Sequence, residues 1–357
     1  VIYVALLITL TLLYVIIKSK LYKRKIKRKV AFIYRYVYLS FVILFSRYIV
    51  LIYTMPDMKF SVVEIIVSLV TTLFSALIVK RIIFNISKSD MLSVLGTLAY
   101  SCNLTSKFDN RDLFFVSNVL VLFLLFAILC MQYLIDELKQ KGIKTKKYHK
   151  YSLIVGISFG IVCALGINYF GILIAVILML FITVNMDKAH ISFPKSFIRS
   201  VSKTKRDKLY KLERLSINKM LISIFLIIIT MSITYKVVEF ILTFVPLNYM
   251  NGMYISNGIS INNFGDFVCK LNEYVDSFVV LSSRYYFILI TYILTLEALS
   301  FLLRRRYDTK TTFIKMIFIM VFMIMINGNM NVVYFQPMLS ALLIIISIIN
   351  TSSLYLN

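Results

Sequence analysis

The sequence contains no tryptophan, four prolines, two histidines and four cysteines in 357 residues. Both histidines, His149 and His190, stand in basic segments, so a histidine-built metal site is not expected. The cysteines have no metal-site spacing. Cys102 and Cys269 could pair as a disulfide, which the sequence leaves open. No glycine-rich phosphate loop is present, which argues against a built-in ATPase. We therefore predict no metal and no cofactor.

Long polar stretches are equally scarce. Hydrophobic residues make up 60% of the chain and charged residues 16%, with a mean hydropathy of +0.86. Several apolar runs exceed the roughly 18 residues that mark a membrane-spanning helix. The sequence therefore predicts an all-α fold, a polytopic transmembrane helical bundle of about 10–12 spans. Residues 1–357 would form a single integral membrane domain. Because Val1 stands inside an apolar run, we expect further residues upstream.

The net charge of +24 is concentrated between the apolar runs. Four basic segments, at 18–29, 136–151, 187–219 and 304–315, are predicted to be cytoplasmic loops, because Lys and Arg retain loops on that side. They would face anionic lipid headgroups, and nucleic-acid binding is not expected. The high content of Ile, Lys, Tyr and Phe without Trp indicates an AT-rich, bacterial genome. The predicted location is the bacterial cell membrane, with a multi-pass topology.

Two segments are harder to assign. Met91–Leu104 is short for a crossing, so it is either a short span buried by its neighbours or a re-entrant segment. Residues 152–186 are apolar between two basic loops, which favours two short helices that turn at Gly166–Gly171, where glycines allow close backbone approach. The basic stretch 187–219 is expected to lie along the membrane surface.

Residues 247–285 form the longest predicted extracytoplasmic loop. Its acids are Asp266, Glu273 and Asp276, against the bases Lys270 and Arg284. Any of the three acids could act as a general base, although exposed loop acids are usually solvated.

Ionisable residues within apolar runs are functional candidates, because they are costly in a bilayer. Arg47 lies about two turns from the external end of its run. It could clamp a lipid-linked phosphate or pyrophosphate, or serve as a structural partner for an acid such as Glu64. Lys236 and Glu239 stand at i and i+3 and are expected to pair locally. Glu239 could also assist Arg47 or an external site.

Arg284 precedes Tyr285 and Tyr286 where the long loop re-enters the membrane. An interfacial Arg beside tyrosines is a common membrane anchor. The same group could hold a phosphate at the outer surface, with the two tyrosines as platforms for a sugar.

This layout resembles the bacterial polysaccharide polymerase and O-antigen ligase group, integral membrane glycosyltransferases of the GT-C type. The resemblance is in architecture: the apolar hairpin SLIVGISFGIVCALGINYFGILIAVILML between basic loops, one late external loop, a span ending in RRR, and a final helical pair around NGNMNVVYFQP. It implies a metal-independent enzyme of polysaccharide or capsule biosynthesis in the cell envelope. Such an enzyme joins sugar units carried on undecaprenyl pyrophosphate, with arginines near the pyrophosphate. The external loop has no histidine, which departs from the ligase branch and favours the polymerase branch.

Two other functions remain open. The chain could be a transporter or flippase for a lipid-linked or amphipathic substrate, for which the Lys236–Glu239 pair and the glycine-rich hairpin are suitable. It could also be a non-catalytic membrane subunit or sensor whose basic loops dock a cytoplasmic partner. Whether the chain is an enzyme therefore stays undecided at this point.

Overall fold

The structure is a computed structural model. It describes residues 14, 16, 28–54, 62–102, 111–139, 147–167, 169–189, 203–244, 264–281, 292–295, 309–327 and 332–355. Within these ranges the chain is helical, with turns and no strand, as the hydropathy predicts. The helices are α1 (Arg28–Thr54), α2 (Val62–Ser87), α3 (Asp90–Ser101), α4 (Arg111–Lys139), α5 (Lys147–Ala164), α6 (Tyr169–Ala189), α7 (Lys203–Thr243), α8 (Phe264–Leu281), α9 (Thr309–Asn327) and α10 (Val332–Tyr355).

Three of these helices are long and apolar enough to cross a membrane. The qualifying stretches are Ile65–Ser87 in α2, Val116–Leu138 in α4 and Ile217–Thr243 in α7. Shorter apolar stretches occur in α1, α6 and α10. A stretch of 23 residues rises about 35 Å as a helix, which exceeds the roughly 30 Å of a bilayer's hydrocarbon core.

The chain divides into two compact units. The first combines Val1–Leu125, Asn248–Arg305 and Met325–Asn357. In it, α2 packs against α1 and α3, and α10 contacts α2, α3 and α8. Apolar side chains fill the space between α1, α2 and α3, including Leu39, Ile43, Ala76, Val94 and Leu98.

A tight corner between α2 and α3 sets the direction of α3. Lys88 has a φ of 54°, in the left-handed region that ends many helices, and its N–H donates to the Phe84 carbonyl. The Ser89 hydroxyl then accepts from the Leu92 N–H and caps α3. Asp90 in the first turn suits the positive end of the helix dipole.

The second unit contains Phe126–Leu247 and Arg306–Ile324, and α7 packs closely against α5. A Cβ added at Gly156 would collide with the Thr230 hydroxyl. At Gly160 it would lie 2.8 Å from both the Met231 carbonyl oxygen and the Thr234 Cβ. These glycines therefore let the backbones of α5 and α7 approach closely, as small residues do between membrane helices.

The predicted turn between two short helices is confirmed. α5 ends at Ala164, Gly166 takes a φ of 115° that favours glycine, and α6 begins at Tyr169. The close approach is not within this hairpin as expected, because Gly156 and Gly160 face α7.

Two segments interpreted as loops contain helix. The basic stretch 187–219 was predicted to be a surface-lying loop, but Lys203–Lys219 is helical and continuous with the apolar part of α7. Lys, Arg and Leu are all good helix formers. The positive charge therefore identifies a basic segment between apolar runs, but it does not exclude that the segment is helical. The predicted external loop 247–285 likewise contains the 18 residues of α8.

Candidate functional site

The candidate site is built around Arg47, which lies inside the first compact unit. Its side chain is 4% exposed although it stands in an apolar stretch of α1. The adjacent Ser46 is fully buried, and its hydroxyl donates to the Val42 carbonyl at 2.8 Å. Arg47 is therefore buried within an apolar helix, and its role as a phosphate clamp stays a prediction.

Arg47 acts on polar groups of the neighbouring helices. Its positive charge influences the Tyr100 phenol of α3, and the Ser75 hydroxyl of α2 forms a hydrogen-bonding contact with the same phenol. On α1, Ser46 makes a corresponding contact with the Cys102 thiol at the end of α3. Both α2 and α3 therefore contribute a hydroxyl to the region that the Arg47 charge influences.

Buried hydroxyls continue along the faces of α2 and α3. On α3, the hydroxyls of Ser93, Thr97 and Ser101 each donate to the carbonyl three or four residues earlier, at 2.7–2.8 Å. A hydroxyl bonded in this way satisfies its donor and keeps lone pairs as acceptors. On α2, Ser68, Thr72 and Ser75 are buried at a matching helical spacing. Buried hydroxyl oxygens of this kind can still accept hydrogen bonds.

A second charged cluster lies at the other end of α3, about 15 Å from Tyr100 by helical rise. Lys80 is 9% exposed and its Nζ lies 3.8 Å from Asp90 Oδ1. The Tyr14 hydroxyl donates to Asp90 Oδ2 at 3.0 Å, and the Lys80 Nζ lies 4.5 Å from the centre of the Tyr36 ring. The sequence interpretation did not identify this cluster, although a lysine inside the apolar stretch Ile65–Ser87 is a detectable signal.

The predicted general bases lie on α8. The Asp266 side chain is half-buried, Glu273 is exposed, and Asp276 occupies a helical position whose side chain lies outside the described part of the structure. A helical segment fixes the spacing of these acids, which a loop would not do. Asp266 and Glu273, seven residues apart, lie about 10 Å apart along the axis and on nearly the same face.

Lys270, between those acids, was missed as a site residue. It is 2% exposed, and Tyr274 one turn later is 3% exposed. Within the described residues, no carboxylate lies within ion-pair distance of Lys270. The detectable signal is its spacing from Tyr274, because the i, i+4 pair puts a Lys on the apolar face of an amphipathic helix.

The Lys236–Glu239 pair is confirmed. The Lys236 Nζ lies 2.7 Å from Glu239 Oε2, and the Tyr235 hydroxyl donates to Glu239 Oε1 at 3.4 Å. Both charged side chains are exposed, and they belong to the second compact unit. Glu239 is therefore neutralised locally, as its spacing predicts.

Several predicted residues lie outside the described residues. These are Arg284, Tyr285 and Tyr286 entirely, and the side chain of Glu64, the alternative partner for Arg47. Cys102 and Cys269 are both free, so the disulfide left open by the sequence is not formed. In the described ranges, no three His, Cys, Asp or Glu side chains are grouped as a metal site would require.

No protein-family model, curated protein or solved structure matches the chain. A function must therefore be argued from the residues themselves. The observations that bear on it are a buried arginine among hydroxyls in one unit and an acidic amphipathic helix, α8, in the same unit.

Proposed function

We propose that the chain is a multi-pass protein of the bacterial cell membrane that joins sugar units carried on a polyprenyl pyrophosphate. In this proposal it is a polysaccharide polymerase-like glycosyltransferase with its working surface at the outer face. The observation that carries the proposal is Arg47, held at 4% exposure in an apolar stretch with its charge acting on the Tyr100 phenol of α3. A charge in such a position is a functional candidate, and a guanidinium binds diphosphate oxygens through two donors at once.

The membrane topology in this proposal has about 10–12 spans. Three apolar helices of sufficient length and the four basic segments support it. Cys269, the exposed one among four free cysteines, offers a test without mutation. A membrane-impermeant maleimide applied to intact cells should label Cys269 from outside. If Cys269 is labelled only after the cells are opened, α8 is not external and the proposed topology is contradicted.

The reaction would be a substitution at an anomeric carbon. An acceptor hydroxyl attacks this carbon, its O–H proton passes to a carboxylate of α8, and the C–O bond to the pyrophosphate breaks with its electron pair leaving on the phosphate oxygen. Arg47 and Arg284 would stabilise the charge that develops on the leaving diphosphate. Asp266, Glu273 or Asp276 would be the base. Tyr285 and Tyr286 would contact the sugar.

The test is binding of a polyprenyl pyrophosphate lipid to the purified full chain, measured by native mass spectrometry. Arg47→Met should weaken binding at least about tenfold, because one charge-assisted contact contributes about 1.5–3 kcal/mol. Arg47→Lys should lose less, since an ammonium keeps the charge without the bidentate fork. Arg81→Met is the matched control, because Arg81 is an exposed arginine on α2. Wild-type affinity in Arg47→Met would contradict the proposal.

A transporter or flippase is the second candidate, and the length of α3 favours it. Its 12 residues rise about 18 Å, little more than half of a hydrocarbon core, and its buried hydroxyls continue from Ser93 to Ser101. Broken helices of this kind line transporter sites. Movement of a fluorescent lipid-linked glycan across proteoliposomes, without any elongation of the glycan, would select this function.

A further inference from the structure

The α8 helix buries a lysine against a helix without charges. Lys270 is 2% exposed, whereas Cys269 and Glu273 on the same helix are exposed. Among the described helices, α8 packs against α10, which contains no Asp, Glu, Lys or Arg. An ammonium in such surroundings is costly unless an anion accompanies it.

Among the described side chains of α8, the titratable groups closest to Lys270 along the helix are Asp266 one turn before, Glu273 three residues after, and the buried phenol of Tyr274. Glu273 favours the charged form of Lys270, but burial outweighs it and lowers the pKa of the lysine below 10.5. The described groups around Lys270 therefore stabilise its charged form less than water would.

Lys270 is buried, but it lies next to the exposed face of α8. Glu273 is only about 60° from Lys270 around the helix axis and is exposed. A ligand at the Glu273 side could therefore reach the ammonium by displacing little of the protein. Its oxygens would supply the missing acceptors.

We propose that Lys270 binds the pyrophosphate group of the substrate, with Glu273 beside it as the general base. The inference rests on the proposed function and adds a second cation to Arg47 for the same leaving group. Glu273 takes the proton of the acceptor hydroxyl as the new C–O bond forms. As that bond forms, the C–O bond to the pyrophosphate breaks, its electron pair leaves on the phosphate oxygen, and Lys270 holds the resulting charge. The carboxylate returns the proton to water.

The test compares Lys270→Met with Lys270→Arg in the full chain, with Lys88→Met as the matched control because Lys88 is exposed at the α2–α3 corner. Lys270→Met should unfold at the same or a higher temperature, since it removes a poorly compensated buried charge, yet bind a polyprenyl pyrophosphate lipid at least about tenfold more weakly. Lys270→Arg should retain part of the affinity. A purely structural lysine would give wild-type binding in Lys270→Met, which overturns the proposal.

A second measurement titrates inorganic pyrophosphate calorimetrically into the wild-type chain, Lys270→Met and Lys88→Met. Lys270→Met should bind pyrophosphate at least about tenfold more weakly, and Lys88→Met should keep the wild-type affinity. If the lipid does not bind but inorganic pyrophosphate binds in a way that depends on Lys270, the glycan function fails and the pyrophosphate site stands. If Lys270→Met binds both the lipid and inorganic pyrophosphate as the wild type does, the site fails and the function stands.

Discussion

The α1–α2–α3 group of the first unit and the α5–α6–α7 group of the second differ in where their charged side chains lie. Both groups bury hydroxyls, but the first also buries the charged Arg47 and Lys80. In the second, the described charged pair Lys236–Glu239 is exposed, and Gly156 and Gly160 let the backbones of α5 and α7 approach closely. Similar apolar composition therefore produces one group with buried charges and one in which this pair stays at the surface.

The difference indicates where chemistry is to be sought. Buried charges lower stability unless they are compensated, so a protein that keeps them inside has a use for them more often than one that keeps them outside. Close helix packing has a structural purpose, because dispersion contacts between membrane helices depend on short separations. Substitutions in both groups should therefore distinguish buried residues that serve function from contacts that only stabilise the fold.

The largest effect is expected at Gly160. Gly160→Leu should destabilise the chain by more than about 3 kcal/mol, because even a Cβ would meet the Met231 carbonyl oxygen and Thr234 at 2.8 Å. Gly160→Ala should have an intermediate effect. Unfolding by SDS titration measures both, and Gly265→Leu at an exposed position of α8 is the control. Equal stabilities for Gly160→Leu and wild type would show that α5 and α7 do not touch there.

The next effect is expected at Asp90. Asp90→Ala removes the partner of the buried Lys80 and the acceptor of the Tyr14 hydroxyl. The cost should be about 1–2 kcal/mol, below that of a fully buried pair because Asp90 is partly exposed. A double-mutant cycle with Lys80→Met measures the coupling. A coupling free energy of zero in this cycle would mean that the two charges do not interact.

The pH dependence of stability should show two opposed contributions from α8. Burial lowers the pKa of Lys270, so the unfolded chain binds its proton more readily below pH 10.5, and stability rises with pH in that window. Burial raises the pKa of Tyr274 from 10.0 to about 12, so stability falls as pH rises from 10 to 12.

Lys270→Met should remove the rising part and leave the fall above pH 10. Tyr274→Phe should do the reverse. Thermal unfolding midpoints measured from pH 8 to 12 test both variants. If the stability of Lys270→Met still rises with pH in this window, another titratable group causes the rise.

The smallest effect is expected at the exposed pair of the second unit. Lys236→Met together with Glu239→Gln should leave the unfolding midpoint unchanged, because an exposed pair with its own partner contributes little. The same SDS titration measures it. A clear loss of stability in the double variant would make this pair part of an interior, and the contrast between the two groups would disappear.

The sequence predicted the fold well where one strong physical signal decided the outcome. The turn at Gly166 followed from glycines in the middle of an apolar stretch, and the Lys236–Glu239 pair followed from helical spacing. Charge bias was a poorer guide to local structure. It marked 187–219 as a loop although Lys203–Lys219 continues into α7, since helix formation and loop position depend on different properties of lysine.

The candidate site was only partly predictable. Arg47 was identifiable because any arginine in an apolar run is conspicuous. Lys270 was not, because its neighbours are polar enough for a loop and its burial depends on α10, which is 62 residues or more further along the chain. Packing between residues so far apart in the chain produces no recognisable pattern in the sequence around Lys270. Arg284, Tyr285 and Tyr286 stay predictions, as do the number of spans and the sugar chemistry.

The continuous helix α7 also gives the second unit a lever arm. Its 41 residues rise about 60 Å, roughly twice the thickness of the hydrocarbon core. Where Ile217–Thr243 crosses a membrane, the basic half beyond Ile217 extends the same rod by about 20 Å. A tilt of roughly 10° in the membrane would then sweep the far end by about 3–4 Å. A rod of this length converts small rotations within the bilayer into displacements at the basic end that a bound partner could detect.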